Sequence, residues 1–163
     1  MKKHIVAING TGGTGKDEFI KLCSKYTKVS STSSMEKIKY VAKILGWSGE
    51  KTEKDRKFLA DLKDISTLYN DMPYDDIKQK INEFNVDDNN ILFIKLREPK
   101  EIKKLVLEYN AKTLLIRRKN HKQITSNLAD KNVENYDYDY VIENESMEKF
   151  DESARKFVSE ILQ

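Results

Sequence analysis

Glycines at positions 10, 12, 13 and 15, a lysine at 16 and an aspartate at 17 follow directly on the apolar run His4 to Asn9. Gly10, four residues, Gly15 and Lys16 have the spacing of a phosphate-binding loop, with Asp17 where Ser or Thr is usual. The ligand such a loop serves is a polyphosphate. Gly10, Gly12, Gly13 and Gly15 lack the β-carbons that would hold backbone N–H groups away from phosphate oxygens, and Thr11 and Thr14 complete the loop. The helix that starts beyond it adds partial positive charge. Lys16 supplies a point charge able to reach the outer phosphates and to stabilise a departing phosphoryl group. Asp17 has two readings: a hard oxygen ligand for Mg²⁺ or its bound water, and a carboxylate that merely favours the helix N-terminus.

Other candidate groups lie far along the chain. Arg97 and Glu98 follow the mostly apolar run 90–96, at the end of a strand where an open α/β sheet gathers its ligand groups. Arg97 suits a phosphate; Glu98 suits metal-bound water or an acceptor hydroxyl. Arg56 stands off the apolar stripe of its helix, either to grip an acceptor phosphate with its planar fork or simply to be solvated. Trp47, between Gly46 and Gly49, either stacks on an acceptor base or packs beneath its turn, the commoner fate of a large aromatic. Arg117 and Arg118 end a strand and open the aperiodic segment 118–136, which also holds Asp130, a weaker candidate partner for an Arg. His4 and His121 have no ligand spacing. Cys23, the single cysteine, precludes an intrachain disulfide and reads as a buried thiol beside Phe19, Ile20 and Tyr26.

These groups need a scaffold, and the hydrophobic pattern supplies one. Strand 3–9 leads through the loop to a helix from Lys16 to Tyr26, with Phe19, Ile20, Cys23 and Tyr26 on one face. A short strand at 27–32 precedes a helix from Met35 to Leu45 striped by Ile38, Val41, Ala42 and Leu45. A turn at 46–49 opens a long helix from about Thr52 to Asn70, striped by Phe58, Leu59, Leu62, Ile65 and Tyr69. Pro73 introduces a helical segment from Asp75 to Phe84, and strand 90–96 follows. A helix opened by Pro99, strand 112–117, a last strand from Tyr138 to Ile142 and an amphipathic helix from Met147 to Ile161 complete the chain. The run Tyr136 to Tyr140 alternates as an edge strand does. Such alternation predicts an α/β fold, a mainly parallel sheet with helices on both faces. The helical block 33–86 interrupts it and is expected to reach over the strand ends near the loop.

Composition narrows the partners. A chain of 163 residues fits one domain, 1–163. Its 30 basic residues face 27 acidic ones spread along the chain, so the net charge of +3 argues against a nucleic-acid platform. No apolar run approaches the length of a membrane span. The expectation is a soluble, cytoplasmic protein without nucleic-acid or membrane partners, monomeric or homodimeric.

The ending Thr14-Gly15-Lys16-Asp17 after a strand resembles that of deoxynucleoside monophosphate kinases and of animal-type phosphomevalonate kinases, both in the P-loop kinase superfamily. Leu45 to Lys51, with Lys54, Arg56, Lys57, Phe58 and Leu59 after it, is similar to the acceptor region of bacterial and phage nucleotide-kinase-like proteins. Arg97-Glu98-Pro99 and Tyr140 to Asn144 extend the likeness over nearly the whole chain; its specific part is the loop. The resemblance implies a three-layer fold with a five-stranded parallel sheet of order 2-3-1-4-5, an acceptor-binding helical insert at 33–86 and a small lid at 118–136. It implies an ATP-dependent phosphotransferase using Mg²⁺ and acting on a small phosphorylated acceptor, foremost a (deoxy)nucleoside monophosphate. Gly10 to Asp17 and Arg117 would hold ATP; Lys16, Arg97, Glu98 and Arg118 would serve catalysis. Arg56, Trp47 and Arg97 would hold the acceptor, and Asp17 and Glu98 the metal. One departure stands out: such kinases carry an Asp within or just after the third strand, where this chain has Lys95. A kinase for a non-nucleotide metabolite and a catalytically inactive nucleotide-binding regulator therefore remain open.

Overall fold

The computed structural model describes residues 2–119 and 132–163. Asp130 and His121, with most of the expected lid, lie outside the described residues.

Strand β1 (His4–Asn9) is the middle of the sheet, because both of its faces are buried against helices. It pairs in parallel with β3 (Ile91–Lys95) on one side and β4 (Lys112–Arg117) on the other. Outside them lie β2 (Val29–Ser33) and β5 (Tyr140–Glu143), giving the order β2-β3-β1-β4-β5 in an all-parallel sheet. This is the order the resemblance implied. Parallel neighbours need crossover helices, which leave both faces covered and the central strands apolar.

One face carries α1 (Lys16–Cys23) and the C-terminal α6 (Met147–Ile161). Phe19, Cys23, Phe150 and Phe157 meet Val6, Ile8, Phe93 and Leu114 there, with Phe19 in ring contact with both Phe150 and Phe157. Burial raises the Cys23 thiol to about 12, which makes it a packing residue rather than a nucleophile. Tyr26, expected on this face, is exposed because α1 stops at Cys23.

The opposite face carries α4 (Met72–Val86) and α5 (Pro99–Tyr109). Ile77, Ile81 and Phe84 of α4 pack on Leu92, Ile94 and Leu96, and each such side chain taken from water contributes about 1.5–3 kcal/mol. The block 33–86 is thus not wholly an insert: α4 is a covering helix of the sheet.

Among the described residues α2 (Glu36–Ile44) and α3 (Glu53–Asn70) pack beyond the two sheet-face clusters, sharing a small cluster of Ile38, Ala42 and Leu59 with Met35, Trp47, Phe58 and Met72 of α4 against it. Thr52 starts α3 with a capping box: its hydroxyl accepts from the Asp55 N–H while the Asp55 carboxylate accepts from the Thr52 N–H. Ile65 and Tyr69, expected in the buried stripe of α3, are largely exposed. At 18 residues α3 is twice the length of the 9-residue α2, so its C-terminal half runs beyond the helix that could cover it. Leu45 is likewise exposed, lying past the end of α2. Strand β5 begins only at Tyr140; Tyr136 and Tyr138 instead fold from a loop onto the α4–α5 side of the sheet. No helix among the described residues is long and apolar enough to cross a membrane.

Candidate functional site

The loop from Gly10 to Gly15 lies at the C-terminal end of β1 and turns directly into α1. Asn9, fully buried, is its anchor. The Asn9 side-chain carbonyl accepts from the Gly10 N–H at 2.8 Å, and its amide donates to the Arg97 carbonyl at 3.1 Å and to the Tyr138 hydroxyl at 2.8 Å. Tyr138 in turn donates to the Val133 carbonyl at 2.7 Å. One buried amide therefore fixes the loop start, the end of β3 and the segment after 132. Sequence reading treated Asn9 only as a strand end; a polar residue closing an otherwise apolar run was the available signal.

Two glycines are required by space as well as by backbone angle. A β-carbon on Gly10 (φ +150) would lie 2.6 Å from the Ile116 carbonyl oxygen and from Thr14 Oγ1. On Gly15 (φ +103) it would lie 2.6 Å from Asn144 Nδ2. Asn144, part of the C-terminal run quoted for the resemblance, donates from its backbone to the Arg117 carbonyl at 2.7 Å and from its side chain to the Thr14 carbonyl at 3.0 Å. Thr11 and Thr14 are buried, the Thr14 hydroxyl donating to the Thr11 carbonyl at 3.0 Å. Lys16 folds back over the loop, where its ammonium donates to the Gly10 and Thr11 carbonyls at 2.5 and 3.1 Å. The cation is thus already over the loop, and the first N–H groups of α1 have no intrahelical partner.

Beside the loop opens a cleft of about 230 Å³, lined among others by Thr11, Thr14, Arg117, Arg118, Val133 and Glu134. Arg117 forms its wall, donating to both Glu134 carboxylate oxygens at 3.1 and 2.6 Å, with Glu143 at 4.0 Å. Arg118 extends to the loop itself, donating to the Gly13 carbonyl at 3.4 Å. The two arginines expected to act together have different surroundings.

On the other side of the loop the charge is one-sided. Lys95, the last residue of β3, donates to Asp17 Oδ1 at 2.8 Å. That hydrogen bond, with Lys16 and Lys39 nearby, holds the Asp17 carboxyl below its ordinary range. Lys39 of α2 is lowered in its turn, first by desolvation and then by repulsion from Lys51, Lys95 and Arg97. Asp17 thus has Lys16, Lys39 and Lys95 about it, and Lys39 in turn has Lys51, Lys95 and Arg97. Arg97, Lys95 and Lys51, the last within the stretch Leu45 to Lys51, stand out in the sequence; Lys39 does not, because nothing local marks one lysine of a lysine-bearing helix as facing a site.

The remaining expected residues have other surroundings. Glu98 starts α5, and burial, followed by repulsion from Glu101, holds its carboxyl above the ordinary range, with Lys63 and Asp64 of α3 also in reach. Arg56, half-buried on the first turn of α3, forms no side-chain hydrogen bond or ion pair among the described residues. Trp47 packs on the α2–α3 cluster and its indole N–H donates to the Glu50 carbonyl at 2.9 Å, closing the turn. The expected metal ligands Asp17 and Glu98 face different charges, and the Asp17 carboxylate is engaged by an ammonium. Among the described residues no group of three or more His, Cys, Asp and Glu could hold a metal. With the Lys95 ammonium on the Asp17 carboxylate, Asp17 does not fit direct ligation of a divalent ion.

No protein-family model matches the chain, and no curated protein matches it in sequence. Solved structures do match in fold. TT1252 from Thermus thermophilus is similar over 100% of both chains, with 16% identity and a TM-score of 0.52. An unliganded sugar kinase from Janibacter sp. HTCC2649 is similar over 98% of this chain and 95% of its own, with 14% identity and a TM-score of 0.54. The fold is that of the P-loop kinases. At such identities the likeness is one of architecture: the parallel sheet, its strand order and its flanking helices. Architecture alone does not name an acceptor, which is left to the side chains around the loop.

Proposed function

We propose that this chain is an ATP-dependent phosphotransferase whose acceptor is itself phosphorylated, a (deoxy)nucleoside monophosphate being the leading class. The carrying observation is the positive surroundings of Lys39 on the α2 side of the loop, where Lys51, Lys95 and Arg97 repel its ammonium. An acceptor phosphate would relieve the repulsion that Lys39 receives there, which a neutral acceptor would not.

In this reading Lys16 exchanges the Gly10 and Thr11 carbonyls for the outer phosphates of ATP, and the loop N–H groups hold the same phosphates. The nucleoside occupies the cleft walled by Arg117 and Glu134. Arg118, beside Gly13, reaches the transferring group. Lys39 and Arg97 orient the acceptor phosphate, with Arg56 at the entrance. An acceptor phosphate oxygen bonds to the γ-phosphorus as the bond to the ADP oxygen breaks, so no protein nucleophile is needed. Substituting Lys16→Met should reduce transfer by about 10²-fold or more, the scale on which removal of one charge-stabilising donor acts. Full transfer by that variant, measured as acceptor-dependent ADP release, would refute the reading. A second reading is favoured by Lys95 in the usual acidic place: a nucleotide-binding regulator, whose ATP binding would persist with no turnover on any acceptor.

A further inference from the structure

The Asp17–Lys95 pair does not follow from the kinase reading, and it points to a different means of neutralising charge. Lys95 is anchored on a central strand, in register with Ile8 of β1 and Ser33 of β2. Its ammonium is brought to the first turn of α1, 2.8 Å from a carboxylate adjacent in sequence to Lys16. Without Lys95, the Asp17 charge would lose its direct partner at the loop and oppose incoming phosphates, which a bridging divalent ion would offset. With Lys95 in place the carboxylate is already neutralised by a cation built into the sheet. Lys16 and Lys39 add positive charge around the pair.

We propose that Lys95 is the resident counter-cation of the loop, and that this chain binds ATP without a divalent ion held by its own side chains. The inference rests on the reading of the loop as an ATP site. It makes Lys95 a positioning residue that acts through Asp17, and it predicts a change in metal dependence rather than a simple loss of binding.

ATP affinity of the full chain, measured by calorimetry in excess Mg²⁺ and again in EDTA, tests it. For the wild type the two dissociation constants should agree within about threefold, whereas Lys95→Ala should weaken binding in EDTA by about tenfold or more relative to Mg²⁺. The double variant Asp17→Asn/Lys95→Ala removes both charges and should return the ratio towards the wild-type value. The Asp17 side chain is 83% exposed and Lys95 31%, so thermal melting of each variant separates a loss of fold from a change in metal dependence. A wild type whose affinity collapses in EDTA, or a Lys95→Ala variant with an unchanged ratio, overturns the proposal while the ATP site stands. Absence of ATP binding in both conditions overturns the ATP site and the proposal with it.

Discussion

The two sides of the loop are built on different principles. On the proposed nucleotide side the backbone is fixed: Gly10 and Gly15 are forced by contacts with Ile116 and Asn144, Asn9 locks the loop start, and Arg117 is held by Glu134. On the acceptor side the proposed recognising groups are long cationic side chains, Lys39 on α2, Lys51 before α3 and Lys95 and Arg97 at the end of β3, beside a helix pair whose buried cluster is Ile38, Ala42 and Leu59. A rigid backbone cradle suits a ligand part that is always the same, the polyphosphate. Mobile side chains on a lightly packed pair of helices suit a ligand that must enter, be transferred to and leave.

Disrupting the rigid side should have the largest effect. Gly10→Ala places a β-carbon against the Ile116 carbonyl at a strained backbone angle, and should cost about 2 kcal/mol or more of stability in urea unfolding along with ATP binding. A variant as stable as the wild type would show that the loop yields, and the contrast would fail. A smaller, paired test compares cores. Ile94→Ala, in the sheet, should cost about 3 kcal/mol or more, whereas Leu59→Ala, in the α2–α3 cluster, should cost about 1–2 kcal/mol, because that site opens without unfolding the sheet. Hydrogen exchange should show the Leu59 loss confined to α2 and α3. Equal costs, spread over the whole chain, would make the two regions one cooperative unit.

The same division explains what the sequence revealed. The alternation of strands and helices and the loop were legible because periodicity and glycine spacing are local, whereas the strand order came only with the resemblance. The role of α4 was not: Ile77 and Ile81 have helical spacing whichever surface they meet, so a block of helices looked like one insert. Ile65 and Tyr69 misled for the converse reason, since an apolar stripe does not announce that its partner helix is too short. At the site, Lys95 was noticed as a departure, but its bond to Asp17, 78 residues away in sequence, needed the β1–β3 register to become visible. Asn9, Tyr138 and Asn144 serve through contacts equally remote in sequence.

The central claim is that phosphate moves from ATP to an acceptor already carrying negative charge. Transfer of label from γ-³²P-ATP should be followed with matched pairs of acceptors, nucleoside monophosphates against their nucleosides and phosphorylated metabolites against their unphosphorylated forms. The account predicts label on a phosphorylated member and none on its neutral partner. Preferential labelling of the neutral partner would contradict it.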